Sequence, residues 1–193
     1  MRPGRAGPYP REVQATFTKL VCSRDGTDRY GVDVTRDTAA PARLRVRSAT
    51  FEVVPREIAH FVVERDFRLR LAIFGQLAAG GDAGMFWAAP TDRCPRSAAR
   101  AHRLCVTGRG DVGRAVALVA ICTAEWERQL GRRPAPLGGP WPLLDATEIR
   151  GETIARAVRS LDAAATRWQH LVPGESLTLR WPTSLTLTSR QSA

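Results

Sequence analysis

The second half of the chain carries the clearest helical pattern of apolar residues. Residues 115–122 are all apolar, and Asp111 precedes them at a position suited to cap the N-terminus of a helix. Gly131 supplies a stop signal, so the pattern predicts a helix from about Asp111 to Gln129. Because eight consecutive apolar residues leave no polar face, we expect other helices to surround the first half of this helix.

Apolar residues at helical spacing also occur on both sides of this segment. From Ile58 to Leu77 they predict a largely helical stretch that ends at the pair Gly80-Gly81. From Ile149 to Leu171 they predict a last long helix, which follows a linker of residues 132–142 with four prolines. A short helix rich in arginine and alanine is expected from Ser97 to Leu104.

The first third of the chain leaves two interpretations open. Val13, Ala15 and Phe17 alternate as in a strand, whereas Val13, Phe17 and Leu20 lie at helical spacing. Enrichment in β-branched and aromatic residues across residues 12–54 favours strand. The helical segments elsewhere predict an all-α bundle around the central apolar helix, and an α+β fold with an N-terminal antiparallel sheet is the alternative.

The length of 193 residues fits one domain. Residues 1–10 are rich in Arg, Pro and Gly and are expected to form a flexible leader without the pattern of a secretory signal. Residues 11–181 are expected to form a single globular domain, and residues 182–193 a polar tail. No apolar run reaches the roughly 18 residues that a membrane span needs, so we expect an intracellular, cytoplasmic protein without a transmembrane anchor in this chain.

The composition adds a strong positive charge. The chain has 29 Lys plus Arg against 19 Asp plus Glu, a formal net charge of +10, and only Lys19 is a lysine. Such a charge attracts nucleic acid, although a GC-rich genome, in which arginine codons displace lysine codons, also accounts for many arginines. An Arg-rich nucleic-acid-associated α+β protein of a virus or a GC-rich bacterium is therefore one hypothesis. The densest basic stretches are residues 43–47 and 65–70, each expected to be the polar face of an element packed on its other side.

Catalytic and metal-binding patterns are weak in this sequence. Cys94, His102 and Cys105 do not have a standard zinc spacing, so no metal site is predicted. Residues 108–113 match G-x-G-x-x-G, but the ribose-binding acid of a dinucleotide fold would fall at residues 125–128, inside the predicted helix. With no Ser/His/Asp order, no paired carboxylates and no phosphate loop with lysine, we predict no enzyme, no catalytic residue and no cofactor.

The segment from Asp111 to Ala117 resembles a motif of a protein-binding family. Its sequence, Asp-Val-Gly-Arg-Ala-Val-Ala, is similar to the first homology motif of the B-cell-lymphoma (Bcl) apoptosis regulators, whose core is Asn-Trp-Gly-Arg followed by an apolar helix. Gly113 and Arg114 match the Gly-Arg core, whereas Asp111 and Val112 replace Asn-Trp. The herpesviral members of the family also depart at those two positions and keep Gly-Arg-Ala. Residues 166–181 and 77–82 bear a lesser similarity to the second and third motifs.

The resemblance implies a viral-type helical module that binds the amphipathic helix of a pro-apoptotic protein in an apolar groove and so regulates apoptosis in a host cell. By the family pattern, Arg114 pairs with an aspartate of that helix. A charged side chain at the start of a buried helix also needs a partner on general grounds. The partner-binding residues implied are Arg114, Gly113, Asp111, Val112, Val116, Ala117 and Ile121 on the apolar helix, with Phe67, Leu71 and Phe74 as the groove wall.

Overall fold

The computed structural model describes seven segments of the chain, which hold five strands and five α-helices. Side chains are described for all of these residues except 29, 42–46 and 87–88. The described segments are residues 13–20, 29–36, 42–46, 54–84, 87–88, 95–134 and 151–187. The strands are β1 (Val13–Leu20), β2 (Arg29–Arg36), β3 (Ala42–Val46), β4 (Trp87–Ala88) and β5 (Ser176–Trp181). The helices are α1 (Arg56–Asp66), α2 (Ile73–Ala78), α3 (Pro95–Thr107), α4 (Arg109–Gln129) and α5 (Gly151–Gln169).

The fold is α+β, so the prediction of an all-α bundle is wrong and the alternative with an N-terminal antiparallel sheet is the one observed. The five strands pair in the order β4-β3-β2-β1-β5, and every pair is antiparallel. Val13 lies opposite Arg36 in β2 and opposite Trp181 in β5. The strand pattern prevails over the helical one because the two-residue period places Val13, Ala15 and Phe17 together in the core.

The two faces of the sheet differ in chemistry. One face packs against helices, and its buried residues include Phe17, Tyr30 and Trp181. On the other face, the Thr18 hydroxyl lies 2.9 Å from the hydroxyl of Ser176, within a row of threonines and serines. A polar open face is typical of an antiparallel sheet that is covered on one side only.

Aromatic rings join the sheet to the helical layer. The Phe61 ring of α1 lies 5.0 Å from the Phe74 ring of α2 and 5.6 Å from the Trp181 ring of β5, with its plane steeply inclined to both. Helix α1 also packs against α4 and α5. The Trp126 indole donates a hydrogen bond of 3.0 Å to Asp162, which ties α4 to α5.

Helix α4 corresponds to the predicted apolar helix, with two differences. It begins at Arg109 after Gly108, so Asp111 lies inside its first turn and does not cap it. The expectation that helices surround its apolar run is also wrong, because Val116 and Ile121 are only half-buried while neighbours such as Cys122 are fully buried. One side of α4 faces the core, and the other side keeps contact with solvent in the described structure.

The stretch predicted as largely helical from Ile58 to Leu77 consists of two helices separated by a turn. After α1 ends at Asp66, Arg68 adopts a left-handed conformation with φ 59°. The Leu69 amide donates to the Glu64 carbonyl at 2.9 Å and closes the turn. The chain then reverses into α2, all six residues of which are buried.

Several predictions concern the ends and the linker. The leader (1–10), most of the linker (132–142) and the end of the polar tail (188–193) lie outside the described residues. Leu185, beyond residue 181, is buried in the core and is the last residue of a short 3-10 helix, Thr183–Leu185. Among the described residues, no helix combines the length and apolar character needed to cross a bilayer.

Candidate nucleic-acid interface

Helix α3 and its flanks form the most basic stretch of the chain. Residues 93–110 contain five arginines and one histidine but no aspartate or glutamate. Five of the ten net positive charges therefore fall within eighteen residues. Pro95 is the first residue of α3, where a proline is tolerated because the amide it lacks has no helical partner.

Helix α3 attaches to the rest of the protein along a narrow stripe. Ala101 and Leu104 are its only buried residues, and Gly108 continues the same stripe after the helix ends. The opposite side is exposed to solvent, as helical periodicity requires. Its exposed residues are Pro95, Arg96, Ala98, Ala99, His102, Arg103, Val106 and Thr107.

The exposed arginines of this region are not neutralised by carboxylates. Within the described part of the chain, Arg96, Arg103 and Arg109 form no salt bridge and no side-chain hydrogen bond. Arg65 is paired with the Asp66 carboxylate at 2.9 Å and Arg128 with Glu125, whereas Arg132 and Arg133 are exposed and, among the described residues, unpaired like the arginines of α3. The α3 region is distinguished by the absence of any acid from residues 93–110. The positive charge of α3 is therefore available to an external anion.

A close packing contact fixes α3 and α4 against the turn between α1 and α2. Gly108 joins the two helices, and a Cβ at this position would lie 2.3 Å from the Leu71 carbonyl oxygen and 2.5 Å from Nε2 of Gln76. Only glycine fits such an approach. The Gln76 amide donates to the Leu71 carbonyl at 2.8 Å, and the Cys105 thiol of α3 lies 3.4 Å from Oε1 of Gln76.

Beneath α3, the short helix α2 is held at both ends by buried charged side chains from other elements. At its N-terminus, the Phe74 amide donates to the Glu64 carboxylate at 2.7 Å. Near its C-terminus, the Arg36 guanidinium donates to the carbonyls of Leu77 at 3.0 Å and Gly81 at 2.7 Å. A hydrogen-bond acceptor at the start and a positive group at the end of a helix both complement its dipole.

Burial shifts the pKa values of the two charged side chains that hold α2, Glu64 and Arg36. Burial raises the pKa of Glu64 above its ordinary value, and the contact with His60, whose Nδ1 lies 3.3 Å away, opposes that shift. Burial lowers the pKa of Arg36; the nearby Asp82 opposes this shift, and the like charge of Arg100 adds to it. His60 and Glu64 are both inaccessible to solvent, so this pair is part of the core.

Three of the predicted partner-binding residues meet where α4 begins. The Leu71 amide donates to Oδ2 of Asp111 at 3.0 Å, and Nη1 of Arg114 lies 3.9 Å from Oδ1 of Asp111. The Arg114 side chain is 40% exposed and that of Asp111 25%. Val112 and Val116 are half-buried one turn apart on the same helix.

The other predicted partner-binding residues are less accessible or lie elsewhere on the elements. Phe74 is 2% exposed and Ala117 1%, so both belong to the core and are out of reach of a partner. Phe67 is half-buried against the core in the turn after α1. Gly113 and Ile121 are half-buried on α4.

The sequence feature that identifies the α3 surface is the absence of acidic residues among its arginines, and not the number of arginines per residue. The stretches singled out as most basic are different ones: the side chains of residues 43–47 lie outside the described residues, and residues 65–70 form the end of α1 and the following turn. Residues 93–110 are less dense in arginine but contain no acid. A count of net charge in an eighteen-residue window finds this segment directly.

Metal-ligating side chains do not form a second candidate site among the described residues. Among the described residues, no group of three or more His, Cys, Asp or Glu side chains is placed to hold a metal ion, and Cys94 lies outside them. Burial raises the pKa of the Cys122 thiol to about 12. Comparison with protein-family models, curated proteins and solved structures finds no match to this chain.

Proposed function

We propose that the protein binds nucleic acid through the exposed face of α3 and the start of α4. The observation that carries this proposal is the group of exposed arginines, Arg96, Arg103 and Arg109, that contact no carboxylate among the described residues. Phosphates of a nucleic acid release counterions when arginines neutralise them, which drives binding even without base recognition. Arginine also binds a phosphate through two parallel N–H donors.

The folded structure gives these arginines little to do for its own stability. Exposed charges without partners contribute almost nothing to folding, and a local excess of five positive charges repels itself. Buried Arg36, by contrast, donates to two backbone carbonyls. The concentration of five arginines without an acid in residues 93–110 supports a binding role for α3 in addition to any codon bias.

A pair of matched variants tests the proposal. Arg96→Ala/Arg103→Ala removes two charges from α3, and Arg132→Ala/Arg133→Ala removes the same two charges from the exposed turn after α4. Fluorescence anisotropy with a labelled mixed-sequence DNA at 0.15 M salt reports the affinities. We expect at least about tenfold weaker binding for the first variant, against about twofold for the second. Equal losses in both would contradict a specific role for α3.

A second candidate function is the binding of a partner helix at the start of α4. It is favoured by the half-exposed row of Val112 and Val116, flanked by the partly exposed pair Asp111 and Arg114. Apolar residues one turn apart beside an arginine provide anchors and register for an amphipathic helix. On this hypothesis the partner is a pro-apoptotic helix and the protein regulates apoptosis in a host cell.

The two functions separate in one peptide experiment. A fluorescent death-motif helix peptide is titrated with the wild type and with Arg114→Ala. Binding of a partner helix at the start of α4 predicts sub-micromolar affinity for the peptide. The affinity should weaken about tenfold in the variant, which corresponds to about 1.4 kcal/mol. Absence of peptide binding, together with salt-sensitive DNA binding, excludes the groove function and leaves nucleic acid.

A further inference from the structure

The outer face of α3 has the size and relief of a helix that enters a groove. The helix has 13 residues, so it is about 20 Å long, and with side chains about 10–12 Å wide. Ala99 and Val106 lie along the middle of its exposed face, two turns apart. His102 lies on one flank of this line, and Arg96 and Arg103 lie on the other.

A small residue in the middle of the face permits a close approach. Ala99 is exposed and projects only a methyl group, so the helix backbone can come near a base-pair edge there. Alanine methyl groups contact the methyl group of thymine, and arginine binds O6 and N7 of guanine in a bidentate manner. Arg96 and Arg103, about 10 Å apart along the helix, can reach either bases or the phosphates beside them.

The described structure lacks the features of a single-strand platform. Single-stranded nucleic acid is bound by stacking its bases on exposed aromatic rings. Among the residues whose side chains are described, no Phe, Tyr or Trp ring is exposed, and Phe67 is the only one of these that is partly exposed. On the open face of the sheet, the described side chains of β1 and β5 include a row of threonine and serine.

The form of duplex follows from groove dimensions. The major groove of B-form DNA is about 12 Å wide and admits an α-helix. The major groove of A-form RNA is too deep and narrow for side chains to read. We infer that α3 inserts its outer face into the major groove of B-form DNA, an inference that rests on the proposed nucleic-acid binding.

Arg109 and the first turn of α4 complete the contact surface. Arg109 is exposed at the first residue of α4, beyond the end of α3 nearest Arg103 and Val106. This position suits a contact to the phosphate backbone at the rim of the groove. The nearby carboxylate of Asp111 is held by the Leu71 amide and faces Arg114, which limits its repulsion of a phosphate.

The test combines three ligands with a steric variant. Anisotropy titrations of the full chain at 0.15 M salt use a 20-base-pair DNA duplex, one of its strands and the matching RNA duplex. Ala99→Leu fills the middle of the α3 face without changing charge, and Ala163→Leu makes the same change on the exposed side of α5. Leucine is a good helix former, so both variants should fold.

Insertion of α3 into the DNA major groove predicts that the DNA duplex binds at least about tenfold tighter than the single strand or the RNA duplex. It also predicts that Ala99→Leu lowers duplex affinity about tenfold while Ala163→Leu changes it less than about twofold. Equal affinity for all three ligands, or an unaffected Ala99→Leu variant, would overturn the groove inference and leave phosphate binding intact. Failure of all three ligands to bind would overturn the proposed function itself.

Discussion

Arg36 and Arg103 carry the same guanidinium group in opposite environments. Arg36 is buried and donates to two carbonyls near the end of α2, whereas Arg103 is exposed on α3 and forms no salt bridge within the described residues. A buried charge needs partners because it has lost water, but an exposed charge does not. The difference separates the arginines that hold the fold from those free to bind a partner.

The largest effect is expected at Glu64, the buried carboxyl group at the N-terminus of α2. Glu64→Ala leaves the amide of Phe74 without its acceptor and His60 without its partner. We expect the free energy of unfolding to fall by about 4 kcal/mol, because several buried polar groups lose their partners together. Urea unfolding measures the loss. Glu64→Gln keeps an acceptor oxygen and should lose less than half as much; equal losses would contradict the capping role.

The next largest loss of stability is expected at Gly108, which joins α3 to α4. Gly108→Ala places a methyl group 2.3 Å from the Leu71 carbonyl oxygen, so the turn must move away from the helices. We expect a loss of about 3 kcal/mol from such overpacking against backbone. Gly110→Ala is the control, since nothing lies within 4 Å of its Cβ and alanine favours a helix. A Gly108→Ala variant as stable as Gly110→Ala would contradict the packing described at this junction.

The same substitution at two arginines tests the comparison itself. Arg36→Met removes two charge-assisted hydrogen bonds from the end of α2 and is expected to cost about 2 kcal/mol. Arg103→Met on the exposed face of α3 should change the free energy of unfolding by less than about 0.5 kcal/mol. Both are measured by thermal or urea unfolding. Similar losses of stability in the two variants would contradict the claim that Arg36 stabilises the fold and Arg103 does not.

A pH dependence of stability is also expected to arise from Glu64. Because burial raises its pKa in the folded state, the folded protein holds this proton to higher pH than the unfolded chain does. The stability contributed by the protonated form is complete below pH 4.5 and decreases as pH rises through the folded-state pKa. Relative to Glu64→Gln, the wild type should therefore lose stability with rising pH, by about 1.4 kcal/mol per unit of pKa difference. A constant difference between the two proteins across pH would contradict the raised pKa.

Local periodicity predicted the elements better than their assembly. The apolar rows of α4 and α5 lie close to where the sequence placed them, since each row forms a continuous buried side. The choice between bundle and sheet depended in part on whether Val13 and Phe17 met Trp181 and Leu177 of β5, which follow 168 and 160 residues later. A contact so distant in sequence leaves no local signal, so the alternation of Val13, Ala15 and Phe17 and the strand propensity of residues 12–54 were the guides to the sheet.

The local density of arginines in the sequence did not predict the candidate interface. Runs of closely spaced arginines drew attention to residues 65–70, where Arg65 is paired with Asp66. The α3 arginines are spaced by helical turns and separated by alanines, so they form a face only once the helix exists. The roles of Glu64 and Arg36 could not be predicted from the sequence either, because each caps a helix formed by another part of the chain.

The salt dependence of DNA affinity tests the central claim most directly. The affinity of the wild type for a DNA duplex is measured from 0.05 to 0.3 M salt beside Arg96→Ala/Arg103→Ala and Arg132→Ala/Arg133→Ala. If Arg96 and Arg103 each neutralise one phosphate, the slope of log K against log salt becomes shallower by about 1.8 in the α3 variant only. An unchanged slope in that variant, or the same change in both variants, would contradict the assignment of α3 as the DNA-binding surface.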